Sequence, residues 1–183
     1  MINKDILSSH ITHLLLITII FSLSTAYNIH AQQKSDKRTV QLHDSTLKMR
    51  REMIHSRSSM VMPFNMNKVT HYFIKTKDGG TLIIKAKNGH DTVQINLIRK
   101  HLKKEHVLFS NADFRDPMTL HGVKMPGLKV LTSSKGKFKV VYKKLSDGAE
   151  LILTSADLNV IKALHTWFNA QLKDHGRDAK SSD

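Results

Sequence analysis

The sequence predicts an α+β fold: two ββα units forming a four-stranded antiparallel sheet, with two helices packed on one face. Three observations predict it. Two stretches alternate in apolar character about short glycine-containing turns, each is followed by a segment with helical spacing, and the second set repeats the first 69 residues later. One hairpin with one helix buries too little apolar surface to stand alone, whereas two such units can join their strands in a single sheet.

Val69 to Thr76 alternates and is rich in β-branched and aromatic residues, Lys77-Asp78-Gly79-Gly80 is a turn, and Thr81 to Lys87 is the returning strand. From Asp91 to about Leu108, Ile95, Ile98 and Leu102 make one apolar stripe, with Asp91 at the positive end of the helix dipole. Phe138 to Leu145 and Glu150 to Thr154 form the second hairpin around Ser146-Asp147-Gly148. The second helix, Asp157 to His175, has the stripe Ile161, Leu164, His165, Phe168 and Leu172 and stops at Gly176. The shift of 69 aligns Asp78-Gly79 with Asp147-Gly148, Leu82-Ile83-Ile84 with Leu151-Ile152-Leu153, Ile95 with Leu164, and Lys104-Glu105-His106 with Lys173-Asp174-His175. The domain spans 68–175, and a long connection, 109–136, joins its halves. Within that connection Leu128 to Leu131 is expected to form a helical turn that plugs the core. Residues 176–183 are a polar tail.

Ahead of the domain, Leu14 to Leu23 is an apolar run behind Lys4 and before the small residues Ser24, Thr25 and Ala26. That length suits the core of an export signal, and a membrane span needs about 20 apolar residues. Residues 1–31 therefore read as a signal peptide, cleaved after Ala26 or Ala31. The protein is expected to be periplasmic or extracellular, with no integral membrane span after processing. Residues 32–67 read as a basic, Met-containing, partly disordered arm in which Leu47 to Ile54 could form a short helix.

The 183 residues hold 29 Lys plus Arg against 15 Asp plus Glu, a net charge of +14, and no Cys. Residues 1–31 contain one Lys and one Asp, so the basicity belongs to the exported part. The absence of Cys removes disulfides, thiolate metal sites, a thiol nucleophile and a lipoprotein anchor. No Gly-x-Ser-x-Gly, Walker loop or Gly-x-Gly-x-x-Gly occurs, so a non-enzymatic binding module is the expectation. With few aromatics and no RRM, KH or helix-turn-helix signature, nucleic acid is not the expected partner.

What chemistry remains lies in histidine, methionine and lysine. His71 sits on the Val69/Phe73 face of the first strand, His101 stands one turn before Glu105, His121 lies in the long connection, and His165 interrupts the second helical stripe. Together with Met118 or Met125 they offer imidazole and thioether ligands, a mixture that suits copper or an axially ligated haem. The plainer alternative makes each a core histidine bonded to backbone, with His106 and His175 answering the dipoles at two helix ends. A second hypothesis is binding of anionic surfaces or glycans through a basic face that includes Lys85, Lys87, Lys137, Lys139 and Lys143.

Phe64, Lys68 to Phe73, Asp78-Gly79-Gly80, Ile98 to Leu102, Phe109, Phe114, Pro117-Met118, His121, Pro126-Gly127, and Ile161 through Phe168 with Gln171 and His175 carry a family resemblance. In these positions the chain resembles a group of small exported bacterial proteins, of unknown function, that commonly bear the name aspartate carbamoyltransferase. The resemblance implies recurrent histidines at His71, His101, His121 and His165. It does not imply the named activity: the Ser-Thr-Arg-Thr phosphate loop and the His-Pro-x-Gln motif of that enzyme are both absent.

Overall fold

Alternation and turn chemistry build two hairpins, and strand register decides how they meet. The computed structural model describes the backbone of residues 4–182 and the side chains of residue 30 and residues 32–182. The apolar run Leu14 to Leu23 and the cleavage positions Ala26 and Ala31 lie outside the described side chains. The elements are α1 (Lys4–Arg57), β1 (Val69–Thr76), β2 (Gly79–Ala86), α2 (Thr92–Ser110), α3 (Arg115–His121), α4 (Leu128–Thr132), β3 (Phe138–Lys144), β4 (Gly148–Ser155), α5 (Leu158–His175) and β5 (Ala179–Lys180). Among the described residues no helix is long and apolar enough to cross a membrane.

Two compact units divide the chain at Leu47. The first is helical from Lys4, and its side chains from 32 to 46 are exposed. The second, from Lys48 onward, contains the sheet.

The strand order is β3-β4-β2-β1-β5, and β2 meets β4 antiparallel with Leu82 opposite Leu151. Those two residues are also the pair that the 69-residue shift superposes, so an approximate two-fold axis passes through their contact and relates the two ββα units. Both glycines that begin the inner strands exist for this junction. A Cβ on Gly79 would stand 2.1 Å from the Leu153 carbonyl oxygen, and one on Gly148 would stand 2.0 Å from that of Ile84, the equivalent position. Gly148→Ala should therefore cost about 3 kcal/mol, because backbone and not a flexible side chain must move; urea unfolding of the variant checks it.

The sheet departs from the sequence expectation in one respect. It is five-stranded and mixed, not four-stranded and antiparallel, because β5 lies parallel to β1, with His71 opposite Ala179. Gly176 closes α5 at a φ of 56° and turns the tail back along the free edge of β1, whose backbone groups the short strand engages. A two-residue strand in a polar tail leaves no alternation to read.

α2 and α5 pack on the same face, each begun by an aspartate: Asp91 accepts from Gln94 N–H and Asp157 from Asn159 N–H. Each helix lies over the hairpin of the other unit and clamps its turn. Arg99 on α2 donates to the carbonyls of Leu145, Ser146 and Gly148 at 2.5, 3.0 and 3.2 Å. His165 on α5 sits 3.0 and 2.8 Å from the carbonyl oxygens of Thr76 and Gly79, the positions equivalent to Leu145 and Gly148.

In the connection between the units, Leu128 and Leu131 of α4 are fully buried, as the helical-turn expectation requires. Phe109 stacks on Phe114 at 4.6 Å and Trp167 meets both edge-on. The arm expectation needs correction from residue 48 onward. α1 continues to Arg57, and Ile54, Met62, Phe64 and Met66 are core residues at 3 to 6% exposure. The last turns of α1 present a single apolar residue, Ile54, to the core. A polar anchor, Arg50 on Asp174, does the rest, so no apolar stripe announces the docking.

Candidate metal centre

Helical spacing assembles the first half of the centre. His101 and Glu105 stand four residues apart on α2, on the stripe that also buries Ile98, Leu102 and Phe109. The first turn of α3 brings up Asp116, 8% exposed. One ligand atom from each of His101, Glu105 and Asp116 can be chosen so that all three lie within 4.8 Å of one another. His101 Nδ1 is 3.9 Å from Glu105 Oε1, too far for a hydrogen bond, and Lys104 Nζ holds Asp116 Oδ2 at 2.5 Å.

These groups face a cavity of about 50 Å³, whose polar lining is His71, His101, Glu105, Asp116, His121 and His175. Trp167, Gln171 and Met62 also line it, and Val61, Phe73, Leu82, Ile84, Phe109, Pro117 and Leu120 make the rest of the wall apolar. That volume accommodates a metal ion or a water molecule and not a haem macrocycle. Among the described residues, seven buried side-chain polar atoms have no hydrogen-bond partner. Six of them belong to this wall: His71 Nδ1, His101 Nδ1, both Glu105 oxygens, Trp167 Nε1 and Gln171 Oε1. Buried polar groups are nearly always paired, and each orphan costs about 1–3 kcal/mol, so six around one hole mark a place built to receive something.

Burial also sets the protonation states. It lowers His71 to about 3, helped by repulsion from His101 and His121, lowers His101 to about 4, and takes His175 well below 6.5. Burial, and then the neighbouring Asp116 carboxylate, lifts Glu105 to about 8. Near neutral pH His71, His101 and His175 are thus neutral imidazoles and Glu105 a protonated carboxyl.

On the far side of the cavity a second set of bonds orients the imidazoles. His121 Nδ1 donates to Asp174 Oδ2 at 2.9 Å, which fixes the orientation of its ring. Arg50 donates to the two oxygens of Asp174 at 2.6 and 2.7 Å and to the His121 carbonyl at 3.2 Å. Burial alone would raise the Asp174 carboxyl; the bonds from His121 and Arg50 outweigh it and hold it near 2. His175 stacks on His71, centroids 4.8 Å apart, and meets His121 edge-on at 5.2 Å. Asp174→Ala strands a buried imidazole and frees the end of α1, so a loss of about 3 kcal/mol is expected in denaturant unfolding at pH 7.

Of the residues that the sequence nominated, His71, His101 and His121 come together. His165 does not: its Nε2 must carry a hydrogen to bond the two turn carbonyls, so it is a structural donor. Met118 packs against the core and Met125 is buried in it at 4% exposure, but neither lines the cavity. The sequence reading missed Glu105, Asp116, Asp174 and the inward role of His175. One signal was present in the repeat itself, which matches Lys104-Glu105-His106 to Lys173-Asp174-His175; both acids of that match are buried. The five lysines nominated for anions do not converge on one site. Lys85 stands over the Tyr72 ring at 5.4 Å, Lys87 faces Asp178, Lys137 faces Asp157, Lys143 faces Glu150, and Lys139 is exposed.

No protein-family model matches the chain, and neither do any curated protein or solved structure.

Proposed function

We propose that the chain is an exported, non-enzymatic metal-binding module that holds one divalent ion between α2 and α3, on His101, Glu105 and Asp116. The observation that carries this reading is the gathering of six unpartnered polar atoms around one ion-sized cavity. One imidazole and two carboxylates suit a borderline ion such as Zn²⁺, Mn²⁺ or Fe²⁺ better than copper(I), which thioether and thiolate ligands favour. His71, whose Nδ1 is also without a partner, lines the same cavity, and it or a water would supply a fourth donor. No turnover of aspartate and carbamoyl phosphate is expected.

Equilibrium dialysis of metal-free protein against Zn²⁺, Mn²⁺, Fe²⁺ and Cu⁺, followed by metal analysis, tests the reading. It predicts one tightly held divalent ion per chain and its loss in His101→Ala. Retention of none of these ions, or full retention of Zn²⁺ by His101→Ala, would overturn it.

A further inference from the structure

The seventh buried polar atom without a partner lies elsewhere, and the two-fold relation between the units shows why. It is the hydroxyl oxygen of Tyr142, on the helix-facing side of β3 beneath α2. The position equivalent to Tyr142 in the first unit is Phe73, and those equivalent to Arg99 and Lys103 in the second are Phe168 and Leu172. In the β1–α5 half that seat is filled with hydrocarbon: Phe73 and Phe168 are 2% and 0% exposed, with centroids 5.5 Å apart, and Leu172 packs beside them. In the β3–α2 half the same seat is open. A pocket of about 450 Å³ is lined by Asn96, Arg99, Lys100, Lys103, Tyr142 and Lys144, and no acidic residue lines it.

One duplicated architecture has thus closed one of two equivalent helix-on-sheet contacts with apolar side chains and left the other hollow, cationic and equipped with a buried hydroxyl. We infer that the α2–β3 pocket binds a small phosphate- or sulfate-bearing molecule, with the Tyr142 hydroxyl donating to an anionic oxygen and Lys103 and Lys144 neutralising its charge. Cations and a hydroxyl donor match the acceptor-only oxygens of such a group, and the volume exceeds what a bare ion fills. Arg99 is committed to the carbonyls of the β3–β4 turn, so its part is to fix the floor and add field, while the exposed lysines are free to close over the ligand. Lys103 already places its ammonium 5.9 Å above the Tyr142 ring. The metal centre plays no part in this site, and the two readings stand or fall separately.

The test is a titration of full-length protein with inorganic phosphate, glucose 6-phosphate and glucose at 0.15 M NaCl, followed by amide chemical shifts and calorimetry. Saturable binding of both phosphates and none of glucose is expected. Lys103→Gln should weaken it about tenfold and Tyr142→Phe about fivefold, the scale of one charge-assisted hydrogen bond. Lys139→Gln, a charge change on an exposed strand position outside the pocket, should leave it unchanged. Tyr142→Phe removes only an unpartnered hydroxyl, so its melting temperature should hold and a binding loss cannot be ascribed to unfolding. Tighter binding of glucose 6-phosphate identifies a phosphorylated small molecule as the source, and equal binding identifies the free anion; either supports the site. Unsaturable binding, or equal weakening by Lys103→Gln and Lys139→Gln, would mean that bulk positive charge alone is acting and would overturn it.

Discussion

Metal-free protein should be most stable near pH 6.5 and lose stability on both sides, by about 3 kcal/mol per pH unit on the acid side. The sign follows from which state binds protons. His71, His101 and His175 are held neutral in the folded chain, below the ordinary 6.5. Once the pH falls under 6.5 the unfolded chain takes up three protons that the folded chain refuses, each worth about 1.4 kcal/mol per pH unit. Glu105 acts the other way. Its folded value near 8 lies above the ordinary 4.5, so between those limits the unfolded chain releases a proton that the folded chain keeps, and stability falls as pH rises. Three imidazoles against one carboxyl leave roughly 3 kcal/mol per unit between pH 6 and 4.5, and the lone carboxyl leaves about 1.4 per unit from pH 6.5 to 8. Asp174, held near 2, contributes stability that is complete above its ordinary 3.8 and is lost as pH falls toward 2, outside this window. Small domains are stable by about 5–15 kcal/mol, so the acid limb should unfold the protein near pH 4–5. Urea unfolding from pH 4 to 8 measures it, and a flat profile would mean that the three histidines are not buried as described.

The second large effect concerns Glu105 and separates binding from folding. Glu105→Gln should make the metal-free protein about 2 kcal/mol more stable at pH 8 and abolish metal binding. Wild-type Glu105 is 3% exposed, and both its oxygens are unpartnered; at that pH it must either keep a proton that the unfolded chain sheds or ionise in a buried place. A glutamine removes the titration but keeps an amide that wants partners, so only part of the gain survives. Stability bought at the cost of binding is the mark of a residue retained for its ligand. A destabilised variant that still binds Zn²⁺ would assign Glu105 to structure instead.

Much of this was legible in the residues, and the rest was hidden for definite reasons. Both hairpins and both long helices, with Asp91 and Asp157 as caps and Gly176 as stop, follow from periods of two and 3.6 and from local chemistry. The repeat makes Leu82 and Leu151 equivalent, while the register that sets them opposite each other is not contained in it. Strand β5 and the docked end of α1 have no such pattern: one is two residues long, and the other is held by an ion pair 124 positions away in sequence. In the centre, histidines could be nominated because an imidazole on an apolar face is conspicuous. Glu105 could not, since an acid four residues after a histidine on a lysine-rich helix has the appearance of a surface pair; only the arrival of α3 turns that face inward. For His165 the plainer of the two readings, a histidine bonded to backbone, is the one that the structure shows. Its stripe position is real, but the carbonyls of a turn 86 and 89 residues away claim its nitrogen.

X-ray absorption at the zinc edge of the Zn²⁺-loaded protein tests the central claim most directly. It predicts a shell of nitrogen and oxygen only, at about 2.0–2.2 Å, with one or two imidazoles and no sulfur, and a loss of imidazole scattering in His101→Ala. A sulfur scatterer at about 2.3 Å, or a spectrum unchanged in that variant, would place the metal elsewhere and contradict the account.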